Sequence, residues 1–152
     1  MQTRFSIQLM TWSDALPLAR AVREKVFIQE QDVPRELEWD EWDERSDHAV
    51  ALDGGSNAIG TARLLPIGCI GGRVGRMAVL RHWRGQGVGA SLLEALLRLA
   101  GERGMREVTL HAQTHAAGFY RRFGFDTRGD EFLEAGIPHQ EMHLRLRRAP
   151  EQ

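Results

Sequence analysis

The chain has 152 residues, 20 of them basic and 21 acidic, and it carries a formal net charge of −1 and a single cysteine, Cys69. This length fits one domain, residues 1–152, that buries roughly two-thirds of its unfolded surface. The balanced charge argues against a protein that binds nucleic acid or a membrane surface. One cysteine excludes an internal disulfide and a cysteine-based zinc site, and we expect no metal. Without a secretory leader or a bilayer-long apolar run, we expect a soluble, cytoplasmic protein.

The N-terminal part of the chain predicts one strand followed by one helix. Apolar residues alternate with polar ones at Phe5, Ile7 and Leu9, which is the pattern of a half-buried strand. Residues 11–14 then offer helix N-cap side chains. Apolar residues at helical spacing continue to about Phe27 or Ile28 and predict an amphipathic helix that has ended by Pro34.

The next segment, residues 35–47, is acidic and contains two tryptophans. It has neither strand nor helix periodicity, so we interpret it as a functional or lid-like loop. The alternative is a solvated connection whose tryptophans pack against the core.

The middle of the chain predicts three antiparallel strands. Two strand-like runs, at 48–52 and 58–65, are separated by Asp-Gly-Gly-Ser-Asn at 53–57, which is hairpin-turn chemistry. A third run follows at about 72–80. Together the three runs indicate a meander.

A buried helix follows a cluster of glycines. Its apolar face is broad, which predicts packing against a sheet: Val88, Leu92, Leu93, Ala95, Leu96, Leu97, Leu99 and Ala100. A short strand around Val108 and Leu110 comes next. Strand, glycine-rich turn, helix and strand in this order form a βαβ crossover, so these two strands should be parallel.

The C-terminal part predicts a short helix over 115–122 that ends at Gly124, a strand beginning at Phe125, and a closing strand over 140–147. The whole order predicts an α/β (α+β) single domain. Its central sheet should be mixed and mostly antiparallel, with about seven strands flanked by about four helices.

The glycine cluster lies in residues 79–90, where a strand ends and a helix begins. Gly85, Gly87 and Gly89 allow positive φ and close approach of the backbone to a ligand. The first turn of the following helix leaves its N–H groups unpaired, and these donors suit phosphate. Arg84 adds a permanent cation. The alternative is a tight turn in which glycine serves packing alone.

Two familiar phosphate motifs fit this stretch poorly. A Walker A loop ends in Gly-Lys-Ser/Thr, whereas the last glycine here is followed by Ala90 and Ser91. The dinucleotide fingerprint is formally met by Gly85, Gly87 and Ala90, but it should open the first βαβ unit and be followed by a strand that ends in an acidic residue. The next strand here ends near His111.

A third pattern, Arg/Gln-x-x-Gly-x-Gly/Ala, is matched by Arg84, Gly87 and Gly89. It resembles the pyrophosphate loop of the GNAT superfamily of acyl-CoA-dependent N-acyltransferases. The resemblance covers nearly the whole chain, and four stretches match in sequence and position: residues 26–34, 74–89, 110–125 and 136–139. The first, third and fourth are similar to the ElaA-like branch.

The resemblance implies acetyl-CoA as acyl donor. Backbone groups of residues 77–79 would pair with the pantetheine arm, and amides of residues 84–89 would hold the pyrophosphate. Many family members have asparagine where this chain has Gln113. The implied coenzyme-binding residues are Met77, Ala78, Val79, Arg84, Gly85, Gln86, Gly87, Val88, Gly89, Gln113 and Ala116.

Tyr120 is the predicted general acid. In the family a tyrosine at this place stands near the thioester sulfur, and the reaction requires a proton donor there. A phenol titrates near 10 and a thiol near 8.5, so the phenol stays protonated at neutral pH. The alternative is that Tyr120 belongs to the aromatic core with its neighbouring phenylalanines.

A general base is also needed, because an amine is largely protonated at pH 7. Glu30 is the first candidate, since its Glu-Gln pair is shared with the ElaA-like branch. His48 and His139 follow, because histidine titrates near neutrality. We also expect the acidic segment to favour a cationic acceptor through Glu38 and Asp40, with Trp39 or Trp42 stacking on it. The predicted acceptor-binding residues are Glu38, Asp40, His48 and His139.

The sequence therefore predicts an N-acetyltransferase that moves an acetyl group from acetyl-CoA to a primary amine by direct attack in a ternary complex. Cys69 lies in a turn away from the motifs, so we expect no covalent enzyme intermediate. Two alternatives remain: a GNAT-fold module that senses acyl-CoA without turnover, and a nicotinamide-dependent dehydrogenase. The resemblance leaves the amine acceptor open, and pairing through the C-terminal strands would make a homodimer.

Overall fold

Seven strands form the centre of the protein. The computed structural model describes residues 4–34 and 40–146. Its strands are β1 (Phe5–Met10), β2 (Asp47–Asp53), β3 (Ala58–Ile67), β4 (Gly71–Val79), β5 (Glu107–Gln113), β6 (Asp126–Glu134) and β7 (Ile137–Arg145). They lie in one sheet in the order β1-β2-β3-β4-β5-β7-β6. This is the predicted α/β (α+β) arrangement with a mixed, mostly antiparallel sheet.

The described residues contain three α-helices rather than the predicted four: α1 (Trp12–Arg23), α2 (Val88–Glu102) and α3 (Ala117–Arg121). The first helix was predicted to reach Phe27 or Ile28. It instead changes at Glu24 into a π-helical segment, Glu24–Glu30. Short 3-10 turns complete the helical structure: Glu41–Asp43, Arg81–Trp83 and Thr114–Ala116.

The pairing of β4 with β5 is parallel, and every other neighbouring pair in the sheet is antiparallel. The predicted βαβ crossover through α2 is therefore confirmed. The parallel pairing runs only from Gly71 opposite Glu107 to Val74 opposite Leu110. Both strands continue beyond that point, so they separate towards their carboxyl ends.

A β-bulge reshapes β4 just after this separation. Thr61 of β3 is opposite Ala78 and Arg63 is opposite Gly75, so one strand advances by three residues while the other advances by two. Arg76 takes a left-handed conformation with φ of 51°. A bulge of this kind bends the strand that carries it, and it helps to turn the end of β4 away from β5.

The main core lies between α2 and the sheet. Leu92, Leu93 and Leu96 of α2 are fully buried, and each such side chain contributes about 1.5–3 kcal/mol to folding. Gly60 of β3 allows the close approach of α2, since a Cβ there would lie 2.9 Å from Cγ1 of Val88. The half-buried pattern predicted for β1 fails at Leu9, which is 47% exposed on this edge strand.

Candidate active site

A cavity of about 720 Å³ opens where β4 and β5 separate. One wall is β4 from Val74 to Val79, and the other is β5 with the segment that runs on to Tyr120. The π-helical segment also borders the cavity, through residues such as Glu30, and so does the β6–β7 hairpin. The geometry leaves the β5-facing edge of β4 beyond Val74 without a paired strand, where an extended ligand can bind as an added strand.

The glycine loop joins β4 to α2 beside this cavity. Gly85 and Gly87 take φ values of 77° and 86°, a region that a side chain would strain. Gly87 is the N-cap of α2, and the first hydrogen bond of the helix runs from the Ser91 amide to the Gly87 carbonyl at 3.0 Å. The three amides from Val88 to Ala90 precede that bond, so they belong to the first turn, whose N–H groups have no partner within the helix.

The side chains of the loop point in different directions. Gln86 donates from Nε2 to the carbonyl of His82 at 2.9 Å, so its side chain is used within the loop. A Cβ at Gly89 would lie 3.6 Å from Phe119. Arg84 lines the cavity, whereas residues 85–89 lie beyond its lining. Arg84 is therefore the loop side chain that faces a ligand in the cavity.

Arg84 is paired with Glu30. Its two terminal nitrogens donate to the two carboxylate oxygens of Glu30 at 2.7 and 2.9 Å, and its Nε donates to the Val79 carbonyl at 2.9 Å. Arg81 adds a longer contact to the same carboxylate at 3.8 Å. The hydrogen bonds from Arg84 lower the pKa of Glu30. A carboxylate held in this way is a weak base unless the pair opens.

Tyr120 lies in the wall opposite β4, where its hydroxyl donates to the thioether sulfur of Met77 at 3.6 Å. Rings surround the phenol: Phe119 packs at 5.0 Å and Phe125 at 6.1 Å between centroids, both edge-on. Burial raises the pKa of Tyr120 to about 12. The phenol is thus protonated at physiological pH and directs its proton towards a sulfur atom across the cavity.

A pair of glutamine side chains spans the cavity beside Tyr120. Gln113 donates from Nε2 to Oε1 of Gln31 at 2.9 Å, and Nε2 of Gln31 lies 3.5 Å from Oε1 of Gln113. Ala116 lines the same wall as Gln113. The pair joins the end of β5 to the residue that follows the π-helical segment. Gln31 was not among the predicted site residues, because its contact depends on a partner 82 positions away.

A cluster of one carboxylate and two imidazoles lies in the lining of the cavity. Glu134 is 3.1 Å from Nδ1 of His111 through one oxygen and 3.6 Å from Nε2 of His139 through the other. All three residues line the cavity. Phe132 packs edge-on to His111 and stacks on His139, with centroids 5.1 and 6.0 Å apart. His139 was predicted as a site residue, whereas His111 and Glu134 were missed.

Comparison with known proteins agrees with this geometry. The model of the acetyltransferase (GNAT) domain matches residues 15–146. The chain belongs to the GNAT acetyltransferase family. It is 41% identical over 123 residues to the uncharacterized N-acetyltransferase YjcF of Bacillus subtilis, a match that covers 80% of this chain and 86% of YjcF.

Two solved GNAT structures share the whole fold. Escherichia coli ElaA is 26% identical and superposes with a TM-score of 0.82 over 91% of this chain and 98% of its own. An acyl-CoA N-acyltransferase of Pseudomonas aeruginosa is 29% identical, with a TM-score of 0.80 over 95% of this chain and 99% of its own. The protein is thus an acyltransferase of GNAT type, and the cavity between β4 and β5 is its candidate active site.

The structure places Asp40 in an ion-pair network with arginines of β3 and β4. Arg63 donates to both of its oxygens at 2.7 and 3.1 Å, and Arg76 donates at 3.0 Å. Burial opposes ionisation of Asp40, but the two arginines prevail and lower its pKa. Arg63 also donates to Asp43, which receives two further hydrogen bonds from Arg23. Asp40 lies outside the cavity lining and contacts it through Arg76.

His48 is fully buried outside the cavity lining. Its Nε2 is 2.9 Å from the Asp43 carbonyl, and its ring packs on Trp12 with centroids 4.8 Å apart. Burial lowers the pKa of His48, so the ring is neutral. Glu38 and Trp39 lie outside the described residues. Trp42 is exposed and packs against Arg45 at 5.3 Å from its ring centre.

Three further observations limit the chemistry of the described residues. Residues 4–34 and 40–146 contain no group of three histidine, cysteine, aspartate or glutamate side chains that could hold a metal ion. Cys69 is exposed in the turn between β3 and β4. No helix in the described part of the chain is long and apolar enough to cross a membrane.

Proposed function

We propose that this GNAT protein transfers an acetyl group from acetyl-CoA to a primary amine by direct attack in a ternary complex. The observation that supports it most strongly is the Tyr120 hydroxyl, which lies within the β4–β5 cavity and donates to a sulfur atom. A thioester sulfur is the same kind of acceptor as the Met77 thioether. The similarity to an acyl-CoA N-acyltransferase of known structure supports the same class of donor.

The residues present fit a coenzyme A thioester. Residues 77–79 lie on the part of β4 that has no paired strand on its β5 side, and backbone groups on such an edge are suited to the amides of a pantetheine arm. The amides at the start of α2 and the guanidinium of Arg84 are suited to the pyrophosphate. Gln113 and Ala116 line the cavity wall on the β5 side. When bound there, the thioester supplies the activated acetyl group.

Tyr120 then serves the leaving group. A thiol titrates near 8.5, well below the value of about 12 for Tyr120 in this structure. Tyr120 therefore stabilises the departing thiolate by hydrogen bonding before any proton moves completely. Tyr120 then gives its proton to the thiolate, and the second proton of the attacking nitrogen replaces it on the phenol. Such acid catalysis typically contributes about 10²–10⁴ in rate.

Thiol release from acetyl-CoA over a panel of primary amines tests the proposal. We expect turnover with at least one amine, initial-rate patterns that intersect, and full activity after Cys69 is blocked. Tyr120→Phe should bind acetyl-CoA as well as the unsubstituted enzyme but turn over at least tenfold more slowly. Tight binding of acetyl-CoA without thiol release from any amine would favour the acyl-CoA-sensing module.

A further inference from the structure

The cluster of Glu134, His111 and His139 has a defined arrangement of protons. The Nδ1 atom of His139 is 2.7 Å from the carbonyl oxygen of Ile137. A carbonyl oxygen only accepts, so Nδ1 carries the hydrogen and the second ring nitrogen, Nε2, is left with a lone pair in the neutral ring. This Nε2 atom lies 3.6 Å from Oε2 of Glu134.

The other imidazole of the cluster is fixed in the same way. Nδ1 of His111 is 3.1 Å from Oε1 of Glu134, and an ionised carboxylate only accepts, so this nitrogen donates. The Nε2 atom of His111 is 3.7 Å from Oε1 of Glu141. His111 thus orients the Glu134 carboxylate and leaves its second oxygen directed towards His139.

The backbone explains why these groups meet. A two-residue turn at Ala135 and Gly136, with φ values of 52° and 76°, joins β6 to β7 and sets Glu134 opposite Ile137. Positive φ at both positions is typical of a tight hairpin turn. His139 is then opposite Gln113 of β5. The cluster is built on paired strands and not on loops, so its spacing is well fixed.

Two hydrogen-bond acceptors, Nε2 of His139 and Oε2 of Glu134, therefore face each other at the cavity wall. Neither can donate to the other while the imidazole is neutral and the carboxylate is ionised. His139 is 9% exposed and Glu134 is 45% exposed, so the pair is reached from one side. A cation with at least two N–H bonds satisfies both acceptors at once, and a primary ammonium has three.

We propose that Glu134 and His139 form the subsite for the amine, in which Glu134 binds the ammonium of a primary amine and His139 is the base that deprotonates it. The inference rests on the acetyltransferase function proposed above. The residues of this subsite are distinct from Glu30, whose two oxygens are held by Arg84.

The charges around the subsite agree with a carboxylate that stays ionised. His111 of β5, His139 of β7 and Arg76 of β4 face Glu134, and the hydrogen bond from His111 is the main cause that lowers its pKa. Glu141 of β7 faces His111 from the far side. An ammonium therefore meets an anion at Glu134 over the whole physiological range of pH.

The proposed reaction conserves protons and charge. The ammonium donates one hydrogen bond to Oε2 of Glu134 and transfers one proton to Nε2 of His139. The neutral nitrogen attacks the thioester carbon, the C–N bond forms and the C–S bond breaks. The second nitrogen proton replaces the one that Tyr120 gives to the thiolate. His139 returns its proton to solvent past the exposed Glu134, and the products are an amide, a thiol and one proton.

Two variants and two matched controls test the subsite. Glu134→Gln keeps the shape but removes the charge, and His139→Gln removes the basic nitrogen. Glu131→Gln changes a carboxylate on the same strand, β6, and His143→Gln changes a histidine on the same face of β7; neither lines the cavity. We expect Glu134→Gln to raise the KM for the amine about tenfold, as the loss of a charged hydrogen bond predicts, with no change in acetyl-CoA affinity.

The pH profile separates a base from a merely structural histidine. His139→Gln should lower kcat about 100-fold at pH 7 and much less near pH 10, where a far larger fraction of the amine is already deprotonated in solution. It should also affect an amine of low pKa less than an alkylamine. A loss of the same size at every pH and for every amine would contradict the role of base, and activities equal to those of the two controls would overturn the whole subsite.

A binding measurement tests the subsite without turnover. Enzyme labelled with ¹⁵N at histidine is titrated with butylamine and with butan-1-ol at pH 8, and His139→Gln identifies the signal. We expect an Nδ1–H tautomer whose Nε2 resonance shifts with the amine and not with the alcohol, with about tenfold weaker binding in Glu134→Gln. An imidazolium already closed onto Glu134, or no response to butylamine, would overturn the proposal. A response to butylamine without thiol release from any amine would retain the subsite and reject the transferase.

Discussion

Replacing Glu30 by glutamine should tighten the binding of acetyl-CoA. In the structure the Glu30 carboxylate occupies both terminal nitrogens of Arg84 at 2.7 and 2.9 Å. In the proposed complex, the pyrophosphate of acetyl-CoA competes with this carboxylate for the same guanidinium. The variant removes the competitor, while the hydrogen bond from Nε of Arg84 to the Val79 carbonyl at 2.9 Å keeps the guanidinium in place.

The expected gain in binding free energy is modest because the ion pair is partly exposed to solvent. The side chain of Arg84 is 40% exposed and that of Glu30 is 25% exposed, and ion pairs of this kind contribute about 0.2–1 kcal/mol. At the upper end, the variant gains about 1 kcal/mol in binding, which corresponds to a Kd about fivefold lower. The gain should shrink in 1 M salt, where the screening length falls to about 3 Å.

Calorimetric titration with acetyl-CoA at low and high salt measures this effect. Glu94→Gln, which removes an exposed carboxylate from α2, controls for the change in net charge. We expect a lower Kd in Glu30→Gln alone, and a kcat within tenfold of the unsubstituted enzyme. An unchanged or higher Kd would refute the competition, and a 100-fold loss in kcat would restore Glu30 as the general base.

Three further predictions concern the fold and its loop. Asp43→Asn should lower the free energy of unfolding in urea by about 3–5 kcal/mol, because it leaves buried arginine charge without its partner, whereas exposed Asp130→Asn should change it by less than about 0.5 kcal/mol. Gly87→Ala should lower the free energy of unfolding by about 1–2 kcal/mol because φ there is 86°, and it should weaken acetyl-CoA binding. Gly101→Ala, within α2, should instead raise the free energy of unfolding by about 0.5–1 kcal/mol. The opposite order in urea unfolding would contradict this. The lowered pKa of buried His48 stabilises the fold above about pH 6.5 and loses that effect as pH falls towards the folded value, so His48→Gln should flatten the decline in stability between pH 7 and 5; an equally steep decline would contradict it.

Most of the fold could be predicted from local patterns in the sequence. The apolar stripe of α2 repeats within one helix, and the direction of the crossover follows from chain chirality, so both could be predicted without knowing any distant contact. The end of α1 could not. The apolar residues of 24–30 fit a continued α-helix as well as a π-helical turn, and Val26 and Phe27 are buried in the π-helical segment.

In the candidate site, too, features that are contiguous in sequence could be predicted and long-range contacts could not. The glycine loop is contiguous in sequence, so a phosphate-binding role could be predicted for it without knowing its geometry. The cluster around Glu134 depends on the pairing of β6 with β7 and of β7 with β5, including a register shift between Arg128 and Phe132. His111 was visible in a matching stretch, but its contact with Glu134 requires that register. The pairing of Glu30 with Arg84 likewise joins residues 54 positions apart.

The most direct test of the central claim is thiol release from acetyl-CoA over a panel of primary amines, with the unsubstituted enzyme and Tyr120→Phe measured side by side. We expect amine-dependent release that falls at least tenfold in the variant, while the Kd for acetyl-CoA stays the same. Full activity in Tyr120→Phe would contradict the role of the phenol, and no release with any amine would contradict the acetyltransferase itself.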